Sequence, residues 1–318
     1  MAVLAAIIAG LFSLTACGED KSDRLSVVAT IFPEYDWVKT VVGDENGVGI
    51  TLLLDNGADL HSYQPTFKDI KTISECDLFI YVGGESDAWV SDALKKAKNK
   101  EMRVINLMET LGDKAKEEEL VEGMQGEDEE DEGEEEGDEK EYDEHVWLSL
   151  KNAKIFVMEI ARQLGDIDAE NAEKYSQNAA QYCEKLTALD LKYAAVVEGG
   201  AKDTLLFADR FPFRYLVDDY GLKYYAAFVG CSAESEASPE TIRFLADKTD
   251  ELALGVILKI ESSDGKIAET VKQTTASKNQ NILVMDSLQS STLKEYSAGR
   301  NYLSVMERNL EVLKEALK

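Results

Sequence analysis

From Leu25 onward the hydrophobic positions fall into short continuous runs separated by stretches with helical spacing. The runs 25–31, 48–54, 77–82 and 103–107 read as strands, since they lack the polar alternation of a half-exposed sheet. Between them the spacing predicts helices over 33–42, 66–74 and 87–97. Pro33 opens the first and Gly43 stops it, the usual placement of those residues. Strands of this kind alternating with helices indicate a parallel sheet covered on both faces.

A helix over 151–164 leads into a longer segment, about 168–197. There Tyr175, Ala179, Tyr182, Leu186, Leu189, Tyr193 and Val196 recur at spacings of four and three, the stripe of an amphipathic helix. Some thirty residues would span roughly 45 Å, so the segment is expected to be a rigid strut between two domains. A second α/β series follows it. Strands are expected over 204–208, 223–229, 253–260 and 281–285, helices over 212–220, 239–250 and 266–276, and a closing amphipathic helix over 302–317. The fold class is therefore α/β, with two similar lobes (25–165 and 200–318) joined by one long helix (166–199). Ligands of open α/β sheets sit at the carboxyl ends of strands. His61, Asp209, Glu261 and Asp286 all follow predicted strands and point to a metal in the cleft between the lobes.

Charge adds one conspicuous segment. Of a net charge of −28, the run 117–144 supplies eighteen acids against the single base Lys140. Such a run cannot bury itself and is expected to be a mobile, solvated loop. It ends at His145, one of only two histidines in the chain. Nucleic acid is excluded as a partner by this balance, since it calls for basic patches; cations are the natural partners.

The chain starts with an apolar run over 2–14, too short to span a bilayer, followed by Leu14-Thr15-Ala16-Cys17. This is the bacterial lipobox pattern. It predicts a signal peptide over 1–16, a lipid on Cys17, a polar tether over 17–24, and a mature protein anchored to the outer face of the bacterial cell membrane. Cys76, Cys183 and Cys231 then remain, with no CxxC spacing. One disulfide is permitted outside the cell, but its pairing is not assignable from sequence.

Two imidazoles with one or two carboxylates suit a divalent transition metal such as zinc, and oxygen donors also admit manganese. Several segments carry a resemblance to a known family. Gly57-Ala58-Asp59-Leu60-His61-Ser62-Tyr63-Gln64-Pro65-Thr66 resembles the ligand loop of the zinc- and manganese-binding lipoproteins of ABC importers, roughly Asp-Pro-His-x-Tyr-x-Pro. Glu144-His145-Val146-Trp147-Leu148 is similar to their second ligand motif, Pro-His-x-Trp-Leu. Gly230-Cys231-Ser232-Ala233-Glu234-Ser235-Glu236-Ala237-Ser238 resembles their Gly-x-Ser-Pro-Glu-x-Glu-Pro-Ser turn. Glu261 and Met285-Asp286-Ser287 stand where the family has a late glutamate and aspartate, and the closing helix from Tyr302 through Leu310 also matches.

The resemblance implies His61, His145 and Asp286 as metal ligands, and delivery of the ion to a permease driven by an ATPase. It departs at the third ligand. Phe207-Ala208-Asp209-Arg210 places an arginine, which cannot bind a cation, where the family has a histidine or glutamate. Asp209 would supply an oxygen only if its loop shifts, and Arg210 would otherwise pair with Asp286 or Glu261. Glu261 is expected to orient an imidazole from behind. The function expected is high-affinity binding of zinc for import by a monomer. Manganese and a metalloenzyme with a two-histidine, one-carboxylate centre are the alternatives, as is a surface adhesin. The enzyme reading lacks a His-Glu-x-x-His helix, a Gly-x-Ser-x-Gly elbow and a phosphate-cradling loop; Gly83-Gly84-Glu85-Ser86 reads as a turn.

Overall fold

A computed structural model describes residues 24–44, 47–125, 141–232 and 236–318. The expected leader, lipidated Cys17 and most of the tether lie outside those residues, as do the centre of the acidic run (126–140) and residues 233–235 of the Gly230 turn. Among the described residues, no helix is long and apolar enough to cross a membrane.

Two four-stranded parallel sheets organise the chain. The first is built from β1 (Leu25–Ala29), β2 (Val48–Leu52), β3 (Leu78–Tyr81) and β4 (Arg103–Asn106), in the order β2-β1-β3-β4. Its connecting helices are α1 (Phe32–Val42), α2 (Phe67–Glu75) and α3 (Val90–Lys95), and α4 (Leu107–Leu111) follows β4. Sequence spacing had no signal for α4, a single turn capped by Asn106, whose Oδ1 accepts from the Glu109 amide at 3.0 Å. The second sheet holds β5 (Thr204–Phe211), β6 (Lys223–Val229), β7 (Val256–Lys259) and β8 (Asn281–Val284), in the order β6-β5-β7-β8. That is the same topology as the first. In each, the order reverses beside the first strand, where open α/β sheets form ligand crevices.

The 27-residue α6 (Ala172–Glu198) joins the lobes, packed along α5 (Leu150–Ile167), which lies against α1 and α4 of the first lobe. At about 1.5 Å per residue α6 is roughly 40 Å long. It behaves as the expected strut. Near its start Asn178 Nδ2 donates to the Val41 carbonyl of α1 at 2.9 Å. Near its end Tyr193 hydroxyl donates at 2.6 Å to the Met306 carbonyl of the last helix, Tyr302–Ala316. Tyr175, Ala179, Tyr182, Leu186, Leu189 and Tyr193 form its buried stripe.

One apolar core runs through both lobes, from Val27 and Trp37 across Trp147 and Phe156 to Phe207, Leu258 and Tyr302. Polar pins cross the same joint. Tyr302 hydroxyl donates to the Trp147 carbonyl at 2.6 Å, Trp147 Nε1 donates to the Ser287 carbonyl at 2.9 Å, and the Tyr302 amide donates to Asp36 at 3.0 Å. All three side chains are buried.

The acidic run differs from expectation at both its ends, which are anchored. Residue 117 bridges to Tyr142, the Gln125 amide donates to the Ala227 carbonyl of β6 at 2.9 Å, and Tyr215 hydroxyl donates to the Asp143 carbonyl at 2.9 Å. Backbone groups find partners along β6 and α7 (Arg214–Tyr220), which outweighs the self-repulsion of the flanking acids.

Buried carboxylates in α1 tie stability to pH. Glu34 is fully buried, and its Oε2 accepts from the Thr30 amide, the Thr30 hydroxyl and the Ile31 amide at 2.8, 3.1 and 3.2 Å. Burial, with a contribution from Asp87, pushes its carboxyl up to about 8. The folded state then holds a proton that the unfolded chain gives up near its ordinary value. Stability therefore falls as pH rises through the window from about 4.5 to about 8. Urea denaturation across that window should show the wild type losing stability more steeply than Glu34→Gln. Equal slopes for the two would mean that Glu34 does not carry the effect.

Candidate metal centre

Each histidine is placed by the aspartate two residues before it. The His61 amide donates to Asp59 Oδ1 at 3.1 Å, and the His145 amide donates to Asp143 Oδ1 at 2.8 Å. These are Asx-type turns, in which a short carboxylate captures a backbone amide two positions on. Asp143 also faces His145 Nδ1 at 3.1 Å, so that nitrogen carries the hydrogen and Nε2 points the other way. Behind His145 the Trp147 ring packs with centroids 5.2 Å apart. A side chain at Gly230 would come within 2.8 Å of the His145 ring, so only glycine permits that turn to lie against the imidazole.

The two histidines, 84 residues apart in sequence, meet with their Nε2 atoms 3.1 Å apart. Two nitrogens bound to one tetrahedral zinc at 2.0–2.1 Å stand roughly 3.3 Å apart. The pair is thus spaced for a shared ion. His61 Nδ1 faces Ser86 Oγ at 2.8 Å and Glu144 Oε2 at 3.6 Å. Ser86 comes from the Gly83-Gly84 turn after β3. Both glycines have positive φ, and a side chain on Gly84 would clash with the Glu144 carboxylate. The turn read as structural is also part of the site.

Electrostatics separate the two rings. Burial, then His145 and Arg210, lower His61 to about 3, although Asp59 opposes this. Burial would lower His145 too, but Asp143, Glu144 and Asp59 together raise it above its ordinary value. Burial thus favours the neutral form of His61, while the acids around His145 favour its charged form.

The carboxylates expected as ligands are engaged by other groups, although Asp209 lines a cavity with His61. Asp286 is gripped by Arg300 Nη2, 2.8 Å from each of its oxygens, and accepts the Leu288 amide at 3.0 Å. Asp209 accepts its neighbour's amide at 2.9 Å and the Ile260 amide at 3.2 Å, tying β5 to the end of β7. β5 extends to Phe211, three residues beyond expectation, with a register shift between Phe207 and Arg210. Asp209 and Arg210 are therefore strand residues. Nor does Arg210 pair with Asp286 or Glu261: its Nη2 donates to Asp59 Oδ2 at 2.6 Å. Burial disfavours ionised Asp59, yet Arg210 and His61 outweigh it and hold the carboxyl below its ordinary value. Glu261 accepts the Ser287 amide at 2.7 Å and the hydroxyls of Ser287 and Ser290 at 2.8 and 3.3 Å, touching no imidazole. It braces the turn that carries Gln289.

Gln289 was absent from the expected site. With its amide turned to suit its neighbours, it donates to both Asp59 oxygens at 2.9 and 2.8 Å and accepts from His145 Nε2 at 2.6 Å. Cys231 was likewise unassigned. Among the described residues, His61, His145 and Cys231 are the group of metal-binding side chains whose donor atoms all lie within 4.8 Å of one another. Cys231, His61 and Ser86 line one cavity of about 630 Å³, walled by Glu118, Glu141 and Glu144. Burial, then Asp143, Glu118 and Glu144, push the Cys231 thiol far above its ordinary value. The three cysteines of the described residues are free. The sequence did carry a signal for Asp59 and Asp143, the repeated Asp-x-His; it carried none for Gln289.

Residues 27–316 match the family described as zinc-uptake complex component A, periplasmic. The zinc-binding lipoprotein AdcA of Streptococcus pneumoniae is 32% identical over 317 residues, 99% of this chain and 60% of AdcA. The chain thus spans about 60% of the length of that relative. The high-affinity zinc uptake system protein ZnuA of Bacillus subtilis is 32% identical over 98% of this chain and 96% of its own length. Among solved structures, the Zn(II)-bound ZnuA-like domain of S. pneumoniae AdcA superposes with a TM-score of 0.71 at 29% identity, covering 92% of this chain and 99% of that one. The metal-dependent lipoprotein YcdH of B. subtilis gives 0.74 at 28% identity, covering 93% and 100%. A match that begins in β1 and ends in the last helix is a family match, and the chain belongs to the zinc-uptake complex component A family.

Proposed function

We propose that this chain is an extracytoplasmic zinc-binding protein, lipid-anchored through Cys17, that passes its ion to an ABC permease and its ATPase. The observation that carries the reading is the approach of His61 and His145, Nε2 to Nε2 at 3.1 Å. A hydrophobic core does not call for two imidazole nitrogens set edge to edge at this spacing, whereas a shared divalent cation does. The names of the relatives support zinc as cargo, and they support transport over catalysis. Zinc is also favoured over manganese by the chemistry at hand: imidazole suits it, whereas manganese prefers oxygen, and Asp209 and Asp286 are engaged by other donors. The acidic run serves, on this reading, to raise the local concentration of cations.

Equilibrium dialysis of metal-stripped protein, with a chelator as competitor, should find one tightly held zinc per chain. His61→Ala or His145→Ala should weaken it by roughly a hundredfold or more. Tight binding that survives loss of both histidines would sink the assignment of the site. Arg210 gives a second test, of opposite sign. Its fixed charge sits on Asp59, whose Oδ1 lies 3.9 Å from His61 Nε2. Arg210→Ala should tighten zinc by about tenfold, by removing like-charge repulsion and freeing the carboxylate. Weaker binding in that variant would instead make the Arg210–Asp59 pair a support that the His61 loop needs.

A further inference from the structure

We infer that the Cys231 thiolate is the third protein ligand of the metal held by His61 and His145, making this a two-nitrogen, one-sulfur centre. The inference rests on the reading of the histidine pair as a metal site and names the donor that completes it. Three donors with affinity for zinc, two imidazole nitrogens and a thiol sulfur, converge here within 4.8 Å of one another. A tetrahedral zinc bound to nitrogen at 2.0–2.1 Å and to sulfur at 2.3 Å needs roughly 3.6 Å between those atoms. The remaining gap, about an ångström at most, is within reach of one rotation about the Cys231 Cα–Cβ bond.

The backbone around Cys231 is held for this role from both sides. Gly230 lies so close to the His145 ring that a Cβ there would be 2.8 Å from Cε1. The Cys231 amide donates to Glu118 Oε1 at 3.3 Å, and Glu118 belongs to the anchored flank of the acidic run. The thiol opens into the same cavity as His61. In the same cavity Glu144 Oε2 is buried without a hydrogen-bond donor, 3.6 Å from His61 Nδ1.

Other candidates for the third ligand are engaged. Arg210 occupies the position where the resemblance led us to expect a ligand, Gln289 has its amide between Asp59 and His145, and Asp286 is bound by Arg300. On binding, the Sγ–H bond breaks as the sulfur–metal bond forms, and the proton passes to solvent. No change of oxidation state is involved. A thiolate in place of an oxygen or third imidazole shifts the centre towards soft cations, so that zinc and cadmium gain over manganese.

Cobalt(II) added to the metal-stripped chain reads the ligand directly. A thiolate ligand gives an intense near-ultraviolet sulfur-to-cobalt charge-transfer band. We expect that band in the wild type and in Cys183→Ser, and its loss in Cys231→Ser together with a roughly hundredfold weaker zinc affinity and a smaller preference for zinc over manganese. Cobalt bound by the wild type without the band would overturn the inference, whatever the variant does, since it needs no substitution. Zinc affinity unchanged in Cys231→Ser but lost in His61→Ala would also overturn it while leaving the proposed function standing. A wild type that binds neither zinc nor cobalt would remove the proposed function itself, and the ligand with it.

Discussion

The His145 ring is the constraint on which the cleft depends, because a fully buried imidazole tolerates few neighbours. Asp143 fixes its Nδ1, the Trp147 ring backs it, and Gly230 closes over its edge. Each of those contacts is rooted in a different part of the fold. Asp143 is held by Tyr215 of the second lobe, Trp147 is pinned between Ser287 and Tyr302, and Gly230 ends β6. A ring so determined turns its Nε2 to the cleft, where His61 and Gln289 meet it. The second histidine needs less support, because the first defines the target.

Much of this fold was legible in the chain. Continuous apolar runs at regular intervals located every strand, and the four-three stripe from Tyr175 to Tyr193 located the linking helix. What escaped was local or non-periodic. α4 is one turn long, too short for any periodicity to register. The extension of β5 through Arg210 depends on a register shift against β6, which is a property of two strands together. Within the site, the histidines were legible by rarity. Asp286 was expected beside them, and Asp209 only with a shifted loop, because a strand end is a favourable address for a ligand. Their actual partners, the Ile260 amide and Arg300, are non-local, and a chain read alone does not reveal which carboxylate has already been claimed.

The turn at Gly83-Gly84 and the Asp-x-His repeat show how local geometry carries the site. The two glycines form the expected turn, and their positive φ and the clearance for Glu144 also bring Ser86 to His61 Nδ1. Asp59 and Asp143 are modest residues in a chain with 62 acids, hard to single out by type. Their common spacing to a histidine sets them apart, because an Asx turn that captures the histidine amide follows from a carboxylate two residues upstream.

The shared core also limits how an ion can enter and leave. Rocking the lobes apart as rigid bodies would expose apolar surface running from Val27 to Tyr302 and would break the Tyr302–Trp147, Trp147–Ser287 and Tyr302–Asp36 hydrogen bonds. Each buried group left unpaired costs about 1–3 kcal/mol, so the whole motion would consume much of the stability a domain has. The segments that face the histidines are of another kind. The loop to His61 carries Gly57 at φ 73°, the Ser86 turn carries Gly83 and Gly84, and Cys231 follows Gly230 on a half-buried turn. Glycine backbone moves between conformations at little steric cost. An ion held by the histidine pair would therefore be released at less cost by displacement of the His61 loop and the Ser86 turn than by parting of the lobes.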